Sequence, residues 1–271
     1  MKVRVKFTKA GSMKFIGHLD IMRYFQKAFR RCGLDVAYSQ GYSPHQLISF
    51  AAPLGVGLTS DGEYLDMQLH SMESEEKTLE RINSVMNDEI RATAVTILTE
   101  DAKNSMSAVI AADYKVSLKD GYESVPDWPK AFSAFMEQDS IYIIKKTKKS
   151  EKEENIKPLI LNWAFDIESS LAEDIWIPSG SVADLYENGC CLYLKLACGS
   201  AKNLKPELVM EAFCQYAGKE WNPFAYQIHR FEVYGGSSIS DLPDDAALEQ
   251  AGTGQLIPLS QLGAEDPGCL C

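Results

Sequence analysis

Apolar and polar residues alternate with period two over residues 2–8, with Val3, Val5 and Phe7 set against Lys2, Arg4 and Lys6. This predicts a half-buried strand. Over 18–32 the period changes: Ile21, Met22, Phe25, Ala28, Phe29 and Cys32 recur at three- and four-residue spacing, and Gly33 follows as a stop. That is a helix, and at 100° per residue Arg23, Lys27 and Arg30 fall on its opposite side. Residues 34–41 and 47–51 predict short strands around the turn Gly41-Tyr42-Ser43-Pro44, and Pro53, Gly55 and Gly57 mark a loop. A strand is expected over 63–70, a helix over 74–88 with Ser74 as its cap, and a strand over 90–98. The order is β-α-β-β-α-β with one extra short strand, the split βαβ or ferredoxin-like plan.

The second half predicts a similar order without repeating the sequence. A strand is expected over 113–118 and a helix over 129–137. Strands over 140–147 and 156–167 form a hairpin, with the charged run 148–154 as its solvated tip. A strand over 190–197, a helix over 205–217 with Pro206 in its first turn, and a strand over 226–234 complete the set. The expected fold class is α+β: tandem ferredoxin-like (split βαβ) subdomains with antiparallel sheets. The expected division is a first domain over 1–100, a linker over 101–111, a second domain over 112–234, and an acidic, mobile tail over 235–271. That tail holds no Lys or Arg, and its stretch Leu256-Ile257-Pro258-Leu259 is apolar enough to dock.

Length and composition fit this picture. With 271 residues, 45% hydrophobic and 24% charged, the chain has the size and make-up of about two globular domains. It is neither disordered throughout nor a small disulfide scaffold. No apolar run approaches the ~18 residues of a membrane span. The charged start Lys2-Val3-Arg4-Val5-Lys6 is not a secretory signal, so a cytoplasmic protein with reduced thiols and no membrane partner is expected. Net charge is −11, unevenly spread. Residues 1–50 hold nine Lys/Arg against Asp20 and Asp35, giving +7 there and −18 in the rest. A basic end on an acidic chain points to an anion-binding face, with nucleic acid as the large anion, or to a charged face balanced by acidic neighbours within the fold.

Motif chemistry is mostly exclusion. Cys32, Cys190, Cys191, Cys198, Cys214, Cys269 and Cys271 form neither a C-x3-C-x2-C cluster motif nor paired C-x2-C zinc spacing, so no metal is expected in this chain. Cys269-Leu270-Cys271 is a weak pattern for metal or persulfide. There is no Walker loop, dinucleotide fingerprint, nucleophile elbow or H-E-x-x-H helix. Two polar constellations remain. Gly17-His18-Leu19-Asp20 begins the first helix, where the dipole favours Asp20 and disfavours a charged His18, leaving it a neutral base. Ser39-Gln40-Gly41-Tyr42-Ser43-Pro44-His45 is turn chemistry, and His45 meets His18 if the two strands flank the helix start. With Tyr42 and with Arg23, Lys27, Arg30 and Arg31 nearby, this cluster suits phosphate binding or acid–base work on RNA. Each histidine alone reads equally as a structural hydrogen-bonder. Glu63 either orients a histidine or balances the basic face, with Asp20 as a second orienting carboxylate. Lys157, at the start of a later strand, is a lone cation.

The stretches Phe15-Ile16-Gly17-His18-Leu19-Asp20, Phe29-Arg30-Arg31-Cys32-Gly33-Leu34 and Tyr38 to His45, then Ser49-Phe50, Pro53-Leu54-Gly55-Val56-Gly57 and Glu63-Tyr64-Leu65-Asp66, resemble the radical SAM-associated (radical SAM-linked) domain family of unknown function. Gly17 departs from the serine usual in that family. The resemblance implies a bacterial accessory domain without cofactor of its own, whose radical SAM partner, encoded nearby, carries the iron–sulfur cluster and SAM. It brings no catalytic residues with it. The expected function is therefore an accessory module that presents or binds an RNA, a ribosomal component or another ribonucleoprotein substrate. The alternatives are a metal-independent RNA-processing or RNA-modifying enzyme using His18 and His45, with Arg23 steadying the phosphate, and an adaptor that only docks protein.

Overall fold

The computed structural model describes residues 1–146, 151–165, 175–200, 202–236 and 256–265. Strand β1 (Lys2–Lys9) turns Val3, Val5 and Phe7 into a core. Helix α1 (His18–Arg31) lays Ile21, Phe25, Ala28 and Phe29 over them, with the Phe7 and Phe25 rings 4.6 Å apart. Strands β2 (Ile48–Phe50) and β3 (Thr59–Gln68) follow, then α2 (Glu75–Asn83) and β4 (Ala92–Leu98). Ser74 caps α2 by accepting from the Lys77 amide. The helix stops at 83 instead of 88 because the Asn83 side chain exchanges two hydrogen bonds with the Ala92 backbone and ties the chain to β4. The strand expected over 34–41 shrinks to two isolated bridges, Val36 to Leu69 and Tyr38 to Gln46.

The second half comprises α3 (Ser105–Ala108), β5 (Val109–Leu118), α4 (Trp128–Met136), β6 (Tyr142–Lys146), β7 (Glu151–Asn155), β8 (Ile160–Ala164), β9 (Cys191–Ala197), α5 (Pro206–Tyr216), β10 (Tyr226–Gly235) and β11 (Ile257–Pro258). The hairpin differs from the expected one. β6 pairs with β7, so residues 151–154 of the charged run are strand, while 160–164 leave the hairpin and join β9. Asn155 Oδ1 accepts from the Ile141 and Lys157 amides, and Ile156 N–H donates to Ile141 O, closing the hairpin before β8 begins.

The main sheet runs β4-β1-β3-β10-β5-β9-β8, with β2 added to β3 and β11 to β10. It is mixed but mostly antiparallel, and few helices cover it. In each half the fourth strand lies beside the first, the first beside the third and the third beside the second; β6 and β7 form a separate two-stranded sheet inserted into the second half. The two separate sheets expected from the sequence are thus one. They join where β3 meets β10 in parallel over only two pairs, Thr59 with His229 and Ser60 with Arg230. Gly62 is required there, because a Cβ would lie 2.5 Å from the Phe231 carbonyl.

Residues expected as linker are docked: Ser105 N–H donates to Asp66 and Asn104 Nδ2 to Ser49. From the expected tail, residues 256–265 pack back on the sheet. Leu259 is fully buried, and Arg4 donates to the carbonyls of Leu259 and Leu262. Residues 237–255 and 266–271, including Cys269 and Cys271, lie outside the described residues. No helix among the described residues is long and apolar enough to cross a membrane.

Candidate nucleic-acid interface

The amphipathic design of α1 decides where its charges go. With one stripe committed to the core, Arg23, Lys27, Arg30 and Arg31 are all exposed on the outside of the helix. Asp20, in the first turn, pairs with Arg23 at 3.2 Å. Arg30 Nε donates to the Gln26 carbonyl and Arg31 Nη2 to the Val85 carbonyl, at 3.2 and 2.5 Å, which steadies both stems without neutralising either charge.

The histidines are not brought together. His18 is half-buried at the first turn of α1, edge-on to Phe50 with ring centroids 5.1 Å apart. It lines a recess of about 20 Å³ with Lys9 and Glu63, room for one water and no ligand. His45 is exposed, its Nδ1 2.8 Å from Ser39 Oγ, in a loop whose Tyr42 stands fully in solvent. It borders a different cavity, about 260 Å³, with Lys2, Gln46, Lys103 and Asn104. The two histidines thus line separate cavities with no lining residue in common. Glu63 does not orient a histidine: both its oxygens accept from buried Arg230, at 2.8 and 2.5 Å. Lys157 points to the Gln138 carbonyl, just outside the ends of the β6–β7 hairpin.

Sequence reasoning missed the polar seam where β3 meets β10. His229 is buried between Thr59 and Asp61, with Nδ1 2.8 Å from Thr59 Oγ1 and Nε2 2.9 Å from Asp61 Oδ2. Burial opposes the Asp61 carboxylate, but His229, Ser181 and the Val182 amide outweigh it and hold its pKa below the usual range. Glu232 accepts from Lys6 at 2.7 Å and from the Tyr64 hydroxyl at 2.5 Å. One strand further on, burial pushes Asp113 up to about 6, against the opposing pull of Lys195, Tyr234 and the Trp176 amide. The available signal was charge inside strands that otherwise read as apolar, such as His229, Arg230 and Glu232 in β10.

A larger cavity, about 540 Å³, opens beside the seam between the Pro53–Gly55 loop and the start of α5, floored by Tyr114, Cys198 and Arg230. Burial raises the pKa of both the Cys198 thiol and the Tyr114 hydroxyl, so neither is poised as an anionic nucleophile at neutral pH. Among the described residues, no three His, Cys, Asp or Glu side chains are grouped to hold a metal ion.

Comparison with known proteins adds one finding. Residues 2–206 match a family model described as an uncharacterized protein conserved in bacteria, DUF2344. A comparison with curated proteins found no match.

Proposed function

The chain belongs to this bacterial family of uncharacterised proteins, and from that premise we propose that it is a non-catalytic accessory module that binds RNA through the outer face of α1. The observation that carries the reading is the exposure of Arg23, Lys27, Arg30 and Arg31 along one helix face, with Asp20 as the carboxylate paired there. Four cations at this spacing suit successive phosphates, and such contacts give affinity without base specificity. The separation of His18 from His45 argues against the nuclease alternative, since general acid and base must both reach one phosphate.

The strand order repeated in the two halves supports reading each as a ferredoxin-like unit, the second carrying the β6–β7 hairpin as an insertion. In this reading the protein works in the cytoplasm beside a separate radical SAM protein. That partner supplies the cluster, SAM and the chemistry, while this chain holds the RNA or ribonucleoprotein substrate.

Filter binding of RNA across a salt series tests the proposal. The triple variant Arg23→Glu, Lys27→Glu, Arg30→Glu should bind far more weakly and lose about two units of log–log salt slope, the share of three phosphate contacts on a single strand. Binding that is equally weak in both proteins overturns it.

A further inference from the structure

The cavity beside the seam, about 540 Å³, takes no lining residue from α1 and so stands apart from the basic helix. Its walls are mostly apolar, with Ala51, Leu54 and Leu58 from the first half and Met106, Val109 and Pro206 from the second. Its floor is polar. Arg230 is only 3% exposed and gives Nε and Nη2 to Glu63 and to the Ala52 carbonyl. Its Nη1 donates to no carboxylate or carbonyl among the described residues, yet it is not sealed away from the cavity. Tyr114 and Cys198 lie against the same guanidinium, and burial holds the proton on each. A guanidinium N–H, a phenol O–H and a thiol S–H each have a proton to give, so the floor is matched by an acceptor.

Charge sets the kind of acceptor. Behind the floor, Lys9 is buried and gives its hydrogen bonds to the neutral carbonyls of Lys14 and Ile16. It feels the charges of both Glu63 and Arg230, and the three together sum to one positive charge. At the mouth, Lys205 and Glu207 cancel. Buried charge in excess is costly, and an anion on the floor offsets it. Size sets the rest of the ligand. The volume lies within the roughly 300–1,000 Å³ of small-molecule sites. At about 30 Å³ for each water-sized group, it holds at most about 18 non-hydrogen atoms.

We infer that this cavity binds a small apolar monocarboxylate, its carboxylate on Arg230 Nη1 and the Tyr114 hydroxyl and its hydrocarbon body against the walls. The inference does not rest on the RNA-binding reading of α1.

Calorimetric titration of the full chain with octanoate, 1-octanol and acetate is the test. Octanoate should bind about tenfold more tightly than 1-octanol, the worth of one charge-assisted hydrogen bond. Acetate, with almost no hydrocarbon to bury, should give no measurable heat. Octanoate should also raise the melting temperature of the parent, because it binds only the folded chain. Tyr114→Phe should weaken octanoate about tenfold and leave 1-octanol unchanged. Glu207→Gln should act in the opposite direction, tightening octanoate about threefold by removing a like charge from the mouth, again without effect on 1-octanol. Glu207 Oε2 has no hydrogen-bond partner to lose among the described residues, so this variant should melt with the parent and decides the matter if Tyr114→Phe fails to fold. Binding of 1-octanol as tight as that of octanoate, octanoate affinity unchanged in the folded variants, or no octanoate binding by the parent overturns the inference.

Discussion

Phe25 and Phe132 are fully buried in the two helix-covered cores, each surrounded by hydrocarbon and aromatic rings. At the seam between the halves, equally hidden positions hold Arg230, Glu63, His229 and Asp61. The two interiors solve different problems. Hydrocarbon burial is strong but non-directional, so it condenses each half without fixing how the halves meet. Two backbone pairs between β3 and β10 are too few to fix a register. The paired charges supply that register, because a shift by one residue turns every side chain to the other face and leaves each charge unpartnered.

The largest effects test this contrast directly. Glu63→Ala should cost about 3–5 kcal/mol in chemical denaturation, because Arg230 is left buried and unpaired. Phe25→Ala should cost a similar ~3–5 kcal/mol by leaving a cavity. The two differ in rescue. Replacing both seam partners, Glu63→Leu with Arg230→Met, should return most of the stability, whereas no second substitution of that kind fills the Phe25 cavity. Failure of the double variant to recover would mean that the seam pair contributes more than mutual neutralisation.

The pH dependence is the next in size. Asp113 binds its proton more tightly folded, at about 6, than unfolded, at the ordinary aspartate value of 3.8. Its contribution is therefore fully present below about pH 4 and lost as pH rises through about 6, by roughly 2–3 kcal/mol at most. Asp61 has the opposite sign: its stabilisation is present above the ordinary carboxylate pKa and lost as pH falls through its depressed folded value. Denaturant midpoints between pH 4 and 7 should show the Asp113 slope, and Asp113→Asn should flatten it. Gly62→Ala should cost about 1–3 kcal/mol by forcing β3 and β10 apart, read as a lower melting temperature. The smallest effect is at α1, where reversing Arg23, Lys27 and Arg30 should shift stability by only about 0.5 kcal/mol per site. A cooperative loss of structure there would show that these charges hold the fold together.

What was legible in the sequence follows the same division. β1 and α1 were readable because their apolar period is local, and the exposed basic stripe came with the helical spacing. β7 was not, since Glu151-Lys152-Glu153-Glu154-Asn155 has no apolar position from which to read a strand. The fusion of two sheets into one was also hidden: Thr59 meets His229 across 170 residues, and neither position carries a local signal of the other. Glu63 was visible as a carboxylate near a basic segment, but the Arg230 it serves lies 167 residues away. The meeting of His18 with His45 depended on two strands flanking the helix start, but the strand expected over 34–41 is reduced to isolated bridges and the two histidines line different cavities.

The late position of β10 has a consequence during synthesis. Once residues 1–98 have left the ribosome, β1, β3, β4 and both first-half helices can assemble, but the strand that completes the outer edge of β3 ends at Gly235. At about 5–20 residues per second, that edge waits on the order of ten seconds for its partner. An open strand edge is where nascent chains associate wrongly, and inward-pointing charges are a known way of blunting it. Asp61 and Glu63, which later pair with His229 and Arg230, occupy that edge. The same carboxylates that fix the finished seam thus keep the half-made sheet from accepting another chain's strand.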